Sequence, residues 1–441
     1  MLKSLCDYIS RIPNDRVYIK NQSLSISYGE LSKKIDFFST KYEEIKGQRC
    51  AIICDTRESL ALYLPCIENI ASGIFLQPNG LSTVDVTNLY ISGVISFVIS
   101  IDNDEIKIKK INVRPAVQDD CEWLLATSGT TGTPKLLSYN LHTLVSTCKT
   151  DISKGAGYCW GLVYDLNRFA GLQVYFQAIS SGSCFVLAEA DDSISSLIQL
   201  FSDHGVNALS ATPSFWRKLL MSDKSELMLL ERITLGGEIA EQAILDSLKF
   251  KYPLAKIHHI YASTEAGVGF AVKDGIMGFP LSDMNSEQLK MKIVEGNLWI
   301  KSNRGAKSIL SGNLNIDEFG YMDTGDEVKV VDERVIFIGR SSGAINVGGN
   351  KVMPEEIEKV LNSYEHIAQS RVAAKQNSLL GSLVVAEVRL EHDIALDKKV
   401  MKTKILEFCR AHLDDYKIPA LIKFVTNIPV NDTGKIIRKS K

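Results

Sequence analysis

Apolar residues along the chain follow two alternating patterns, which predict strands and helices in turn. The apolar runs at 49–53, 74–78 and 94–101 are short and rich in β-branched residues, as buried strands are. Between these runs, apolar side chains recur every three or four residues at 28–38 and 59–72, as on one face of a helix. We expect a glycine, Gly73, to end the second helix. Strands that alternate with helices favour a mostly parallel sheet covered by helices.

The same alternation continues through the rest of the chain. Short apolar runs predict strands at 123–126, 183–187, 206–210, 233–235 and 257–260. Helical periodicity appears at 141–150, 173–180 and 193–203, and a proline followed by acidic residues opens a helix at 354. Residues 295–301 and 321–331 alternate like half-buried strands.

Composition narrows the class of protein without naming a function. With 441 residues, 45% of them hydrophobic, the sequence suits a globular protein of two or three domains. No apolar run is long enough for a transmembrane helix, and the first residues lack the pattern of a signal peptide. Nine scattered cysteines without a framework indicate a reducing cytoplasm. A net charge of −2 argues against nucleic acid as a partner.

A loop of small polar residues follows the strand at 123–126. Glycines let a backbone wrap closely around a ligand, and successive N–H groups, hydroxyls and one ammonium form a cradle for a polyphosphate. The spacing differs from that of a Walker loop, and a polar surface turn is the alternative. The candidate phosphate ligands are Thr127, Ser128, Gly129, Thr130, Thr131, Gly132 and Lys135.

Further polar and glycine-containing stretches come after predicted strands. They are Gly-Gly-Glu at 236–238, Tyr-Ala-Ser-Thr-Glu at 261–265 and Tyr-Met-Asp-Thr-Gly-Asp at 321–326. A Gly/Ser-rich stretch begins at 340, and Gly-Lys-Ile-Ile-Arg stands at 434–438. Each one alone is also typical of a tight turn, a solvated acid or a basic tail.

Together these stretches resemble the motifs of the adenylate-forming superfamily, which includes acyl- and aryl-CoA synthetases, peptide-synthetase adenylation domains and firefly luciferase. Thr127 to Lys135 match the family's phosphate loop throughout, and the closest character is that of a compact acyl- or aryl-CoA ligase. The resemblance implies an α/β fold with a large N-terminal domain of sandwiched α/β subdomains, residues 1–339. A hinge at 340–342 would join it to a small, mobile α+β C-terminal domain, residues 343–441.

The resemblance also implies a role for each motif. The loop would hold the ATP phosphates, the Gly-Gly-Glu stretch and the tyrosine would lie near adenine, and the threonine would reach the α-phosphate. Glu265 would bind Mg²⁺, which prefers hard oxygen ligands. Asp326 would bind the ribose hydroxyls, Arg340 would contact ribose and phosphate, and Lys435 would be the catalytic lysine. Beyond the loop, the implied ATP site therefore comprises Gly236, Gly237, Glu238, Tyr261, Ala262, Thr264, Asp326, Arg340 and Lys435.

The acyl pocket is implied by a weaker match. Arg168 stands where the family's His-x-x-Gly-Leu segment has histidine, and it is either a surface residue at a helix start or a cation facing the pocket mouth. Phe169 stands where peptide-synthetase domains carry an aspartate, so a free amino acid substrate is disfavoured because a buried ammonium needs a counter-charge. Gly171, Ala262 and Gly267 would complete the pocket, and the methyl group of Ala262 would narrow it.

The implied activity is ATP-dependent conversion of a carboxylic acid to acyl-AMP with release of pyrophosphate, followed by transfer to a thiol. The expected cofactors are ATP and Mg²⁺, with CoA as the thiol. One alternative is an enzyme that loads the acid onto the pantetheine of a carrier protein. Another is a non-catalytic nucleotide-binding relative, against which Lys135, Glu265 and Lys435 argue.

Overall fold

The computed structural model describes residues 2–22, 24–102, 104–112, 120–127, 134–189, 192–347, 350–377, 381–391, 397–430 and 435–437. The helices are α1 (Leu5–Ile9), α2 (Tyr28–Lys41), α3 (Arg57–Glu68), α4 (Thr83–Gly93), α5 (Leu141–Val145), α6 (Ile152–Gly155), α7 (Phe169–Ser181), α8 (Ile194–Asp203), α9 (Pro213–Leu220), α10 (Gln242–Lys251), α11 (Pro354–Asn362) and α12 (Lys398–His412).

Strands β1 to β14 all belong to the first two sheets described below. They are β1 (Val17–Lys20), β2 (Ser25–Ser27), β3 (Arg49–Cys54), β4 (Gly73–Leu76), β5 (Phe97–Asp102), β6 (Glu105–Lys110), β7 (Glu122–Thr127), β8 (Lys135–Asn140), β9 (Cys159–Leu162), β10 (Cys184–Leu187), β11 (Ala208–Ala211), β12 (Arg232–Gly236), β13 (Lys256–Ser263) and β14 (Gly267–Val272). The remaining strands are β15 (Phe279–Pro280), β16 (Leu289–Val294), β17 (Asn297–Ser302), β18 (Ser308–Ser311), β19 (Met322–Val331), β20 (Arg334–Arg340), β21 (Ile345–Val347), β22 (Asn350–Val352), β23 (Ile367–Asn377), β24 (Gly381–Leu390) and β25 (Leu421–Phe424).

Two mixed sheets form most of the large domain, and helices lie between them. The first sheet has the order β14-β13-β12-β11-β9-β10-β1-β2, and the second has the order β18-β8-β7-β4-β3-β5-β6. Helix α7 packs on both: Phe176 meets Trp123 of β7 edge-on, and Tyr175 stacks on Phe185 of β10. The central strands are parallel and buried, which is why they read as continuous apolar runs. The predicted α/β class is confirmed.

Two smaller sheets complete the chain. A five-stranded antiparallel sheet, β15-β20-β19-β17-β16, follows the first two and has its own apolar core. The last sheet runs β22-β21-β24-β23, with β25 paired to β24, and helices α11 and α12 pack against it. This last unit is the predicted α+β domain. No helix among the described residues is long and apolar enough to cross a membrane.

Some local predictions differ from the structure. Gly73 does not end a helix, since α3 stops at Glu68 and Gly73 opens β4 opposite Arg49. A Cβ on this glycine would lie 2.9 Å from the Arg49 Cγ, so close packing within the sheet accounts for it. The helix predicted at 141–150 ends at Val145, and the strand that begins at Lys135 was not predicted.

Candidate functional site

A buried carboxylate on the central strand of the third sheet forms one corner of the site. Asp326 on β19 lies directly opposite Arg340 on β20, and the Arg340 Nε donates to Asp326 Oδ1 at 2.8 Å. The hydroxyl of Tyr261, from the first sheet, donates to Asp326 Oδ2 at 2.5 Å. Both carboxylate oxygens are therefore oriented, and each keeps a second lone pair for a ligand hydroxyl.

The tyrosine of this corner is held by aromatic packing. Tyr261 lies opposite Phe270 in the β13–β14 hairpin, and their rings stack with centroids 5.3 Å apart. Phe337 of β20 stacks on the same tyrosine at 5.0 Å. Burial, and then the charge of Asp326, raise the pKa of Tyr261 well above its usual value. The phenol therefore stays protonated and can keep donating to Asp326.

A glycine turn forms the opposite wall. Strand β12 ends at Gly236, whose carbonyl accepts a hydrogen bond from the Tyr164 hydroxyl at 3.2 Å. Gly237 follows with a φ of +82°, a conformation that favours glycine. A Cβ on Gly237 would lie 3.4 Å from the Lys435 Cε. This glycine thus allows the lysine stem to lie against the turn.

Lys435 reaches this wall from the small domain. Lys435 is exposed as a residue, and it is one of the residues that line the cleft. Desolvation in the cleft, and then repulsion from Arg340, lower the pKa of Lys435, whereas Glu238, Asp326 and Glu265 act in the opposite direction. The ammonium group therefore lies within electrostatic reach of residues from four different motifs.

One cavity of about 240 Å³ connects these features. It lies between the large and small domains, at the ends of strands from two sheets. Its walls include Gly237, Glu238, Tyr261, Ala262, Asp326, Arg340 and Lys435. Residues that are far apart in the sequence are thus brought into a single cleft by the packing of the sheets and the seating of the small domain.

The described residues include only the two ends of the predicted phosphate loop. Thr127 ends β7 and pairs with Lys135 at the start of β8. The Thr127 Oγ1 is buried and has no hydrogen-bond partner among the described residues, so it could bind a ligand oxygen. Ser128, Gly129, Thr130, Thr131 and Gly132 lie outside the described residues.

The carboxylate predicted to bind metal follows the strand that carries Tyr261. Thr264 and Glu265 connect β13 to β14, and both are partly buried. The charge of Glu265 helps to raise the pKa of Arg340 and opposes the lowering of the Lys435 pKa. Within the part of the chain that the structure describes, no three His, Cys, Asp or Glu side chains form a metal cluster.

The residues predicted for the acyl pocket differ in their surroundings. Arg168 is the partly buried N-cap residue of α7, and Phe169 packs against Tyr139 with ring centroids 6.0 Å apart. A Cβ on Gly171 or Gly267 would lie 2.1 Å from a backbone oxygen, that of Asp165 or Arg304 respectively. Packing alone accounts for both glycines, and their pocket role stays a prediction.

Contacts between the two domains were not predicted. The buried Glu241 accepts from Arg217 of α9 at 2.5 Å and from Asn362 of α11 at 3.4 Å. Lys351 of β22 pairs with Glu327 of β19 at 2.8 Å. None of these residues belongs to a recognisable motif, because a contact between domains leaves no local signal in the sequence.

The comparisons with known proteins agree with this architecture. The family model for AMP-binding enzymes matches residues 84–355, and the model for the AMP-binding enzyme C-terminal domain matches residues 356–435. These models meet between 355 and 356, not at the predicted hinge, so the bounds 1–339, 340–342 and 343–441 stay a prediction.

Two curated relatives are 2-succinylbenzoate–CoA ligases. The protein from Staphylococcus epidermidis is 26% identical over 337 residues, which cover 72% of this chain and 68% of that protein. The protein from Bacillus subtilis is 24% identical, over 88% of this chain and 81% of that protein.

Solved structures share the fold over nearly the whole chain. The o-succinylbenzoate CoA synthetase from Bacillus subtilis, in complex with its acyl-adenylate intermediate, superposes with a TM-score of 0.74 and 20% identity, covering 99% of this chain and 97% of that one. An anthranilate CoA ligase bound to anthranoyl-AMP gives a TM-score of 0.80 with 16% identity, covering 98% and 95%. Because the first family model alone covers more than half of the residues, the chain belongs to the AMP-binding enzyme family, and together with the ligase relatives this makes it an AMP-forming acid–thiol ligase.

Proposed function

We propose that this ligase converts a polar, preferably aromatic, carboxylic acid to its CoA thioester. The observation that carries the proposal is the single cleft shared by Asp326, Arg340, Gly237 and Lys435, which can hold a nucleotide between two domains. Curated relatives that act on 2-succinylbenzoate support the choice of acid.

The reaction has two steps. An oxygen of the acid attacks the α-phosphorus of ATP, the bond to the β-phosphate breaks, and acyl-AMP and pyrophosphate form. A thiol sulfur then attacks the acyl carbonyl carbon, the thiol proton is lost, and AMP leaves. Positioning and charge stabilisation supply most of the catalysis of phosphoryl-type transfer.

The nucleotide would be held mainly by the large domain. Asp326 would accept hydrogen bonds from the ribose hydroxyls through the free lone pairs of its oxygens, which Tyr261 and Arg340 keep oriented. Adenine would lie beside the Gly236–Gly237 turn, where glycine lets a flat ring approach the backbone. Thr127 and Lys135 would contact the terminal phosphates.

The residues present also fit a magnesium ion. Mg²⁺ usually takes one or two carboxylates and completes its shell with phosphate oxygens and water. Glu265 would supply the carboxylate, and the lack of a larger acidic cluster among the described residues agrees with this arrangement. When bound, the ion would neutralise charge on the phosphates. Lys435 would donate from its ammonium group to the α-phosphate oxygens.

The choice of acid rests on the start of α7. Arg168 is partly buried there and directly precedes Phe169, whose ring packs against that of Tyr139. A guanidinium at the mouth of the pocket would suit an aryl acid that carries a second carboxylate or another polar group. 2-Succinylbenzoate, on which the relatives act, has this chemistry.

We also infer a cytoplasmic location. All nine cysteines are free thiols, as is usual in a reducing compartment.

Pyrophosphate release with a panel of acids tests the proposal. The panel would contain 2-succinylbenzoate, anthranilate, benzoate, a medium-chain fatty acid and phenylalanine. We expect the fastest release with an aryl acid that has a second polar group, and formation of a thioester when CoA alone is added. Adenylation without transfer to free CoA would favour a carrier protein as the acceptor. ATP binding without pyrophosphate release for any acid would favour a non-catalytic relative.

A further inference from the structure

The carboxylate of Glu238 accepts a backbone hydrogen bond from each domain. Its Oε2 accepts from the N–H of Ser214, in the first turn of α9, at 2.9 Å. Its Oε1 accepts from the N–H of Ile436 in the small domain at 3.1 Å. One side chain of the large domain therefore joins a rigid helix start to the residue that follows Lys435.

The geometry favours this carboxylate as an anchor. The first N–H groups of a helix have no partner within the helix and carry partial positive charge, so they orient an acidic side chain. Thr212 caps the same helix end through the N–H of Phe215, which leaves the Ser214 N–H for Glu238. Glu238 thus offers its second oxygen to the small domain from a fixed position.

The segment that receives this bond also has contacts within the small domain. Ile437 donates its N–H to the Pro429 carbonyl at 3.1 Å, and its own carbonyl accepts from Arg371 at 2.7 Å. These contacts move with the small domain, whereas the bond from Glu238 forms only while that domain lies against the Gly237 turn.

We propose that Glu238 is a positioning residue for Lys435, and that it seats the lysine in the cleft during adenylation and releases it before thiol transfer. The inference rests on the proposed function, in which Lys435 serves the first step. Because the bond joins two domains, loss of Glu238 lowers the population of the seated arrangement without removing any group that touches the reacting atoms.

Two substitutions of Glu238 should slow acyl-AMP formation to different extents. Glu238→Ala removes both acceptors, and Glu238→Gln leaves a single acceptor oxygen. Hydrogen bonds to charged groups change an equilibrium by about 10- to 100-fold. We expect Glu238→Ala to slow acyl-AMP formation by about this factor and Glu238→Gln to slow it less, while thioester formation from a supplied acyl-adenylate stays near the parent rate.

The matched control is Glu226→Gln. Glu226 is a largely exposed acid that pairs with Lys251 at 3.0 Å, away from the cleft. The Glu226→Gln substitution should leave the rates of both half-reactions unchanged. Thermal unfolding of every variant checks that the fold is intact, and Glu238→Gln remains informative if Glu238→Ala does not fold.

Two further measurements separate positioning from a general structural role. On a Lys435→Ala background, Glu238→Ala should cause no further loss of adenylation, because it acts through the lysine. In hydrogen–deuterium exchange without substrates, the peptide that contains Ile436 should take up deuterium faster in Glu238→Ala than in the parent protein.

Three results would overturn the inference. The first is an equal loss of rate in both half-reactions of Glu238→Ala. The second is a loss of adenylation in the double variant that equals the product of the losses in the two single variants. The third is unchanged deuterium uptake at Ile436 in Glu238→Ala. A parent protein that activates no acid would instead overturn the proposed function, and the exchange measurement would still report whether Glu238 holds the segment.

Discussion

The two sides of the cleft are built by different means. Asp326 and Arg340 lie opposite each other on paired strands, and Tyr261 reaches them from a neighbouring sheet through two aromatic stacks. Lys435 instead precedes an isolated bridge between Val430 and Ile436 and meets the large domain across the domain boundary. Among the described residues, the first side is therefore fixed by strand pairing and aromatic stacking within the large domain, and the second by contacts across the domain boundary.

This difference matches what the two steps require. A nucleotide moiety stays bound during both half-reactions, so the groups that hold it gain from rigidity. In the proposed reaction, the lysine acts only while charge develops on the α-phosphate. A lysine that is held across a domain boundary can leave when the second step begins, because motions of this kind use the least stable contacts of a molecule.

Replacement of the lysine should separate the two half-reactions most strongly. Loss of one preorganised donor to a transition state costs about 10²- to 10³-fold in rate. We expect Lys435→Ala to slow acyl-AMP formation by about this factor and to spare thioester formation from a supplied acyl-adenylate. Lys423→Ala, at an exposed position of β25, is the control. Equal losses in the two steps would mean that the domains do not rearrange.

Replacement of Asp326, on the side of the cleft that is fixed by strand pairing, should instead affect both half-reactions. Asp326→Asn removes the charge that Tyr261 and Arg340 orient, and charge-assisted hydrogen bonds of this kind are worth about 10- to 100-fold. We expect a rise in the KM for ATP together with slower thioester formation from acyl-adenylate. Asp36→Asn, on the exposed face of α2, serves as the control. A defect confined to the first step would contradict the comparison.

Replacement of the carboxylate that is predicted to bind metal should have an effect of intermediate size. We expect Glu265→Gln to raise the Mg²⁺ concentration needed for half-maximal pyrophosphate release, because a neutral amide is a poorer ligand for a hard cation. Removing this charge also lowers the pKa of Lys435 further, since Glu265 now opposes the lowering. The alkaline limb of the pH profile for adenylation should therefore move to lower pH. A parent-like Mg²⁺ titration would exclude Glu265 as a ligand.

The smallest effect on ATP should come from the acyl side. Arg168→Ala should change the relative rates across the acid panel and lower the preference for acids with a second carboxylate, while the KM for ATP changes by less than about threefold, as expected for a residue outside the nucleotide contacts. Arg11→Ala, at an exposed residue, is the matched control. Unchanged relative rates would indicate that Arg168 only begins helix α7.

Several elements were predictable from local patterns. Ser27 and Glu30 form a capping box at the predicted start of α2, and Thr212 with Pro213 starts α9 as local rules expect. Gly73 was misjudged because a glycine is favoured both at helix ends and in tightly packed strands. Only its distance from Arg49 separates the two possibilities.

The sequence by itself determined the alternation of strands and helices, the order of the motifs and the chemistry each motif can offer, because these depend on neighbouring residues. It could also have suggested Phe270 as a partner of Tyr261, since both lie in one hairpin. The tertiary structure alone decided that Phe337 stacks on Tyr261, that Glu238 joins two domains and that Lys435 lies against Gly237. Such contacts join residues far apart in the chain, and they arise from the packing of whole sheets and domains, which no local pattern encodes.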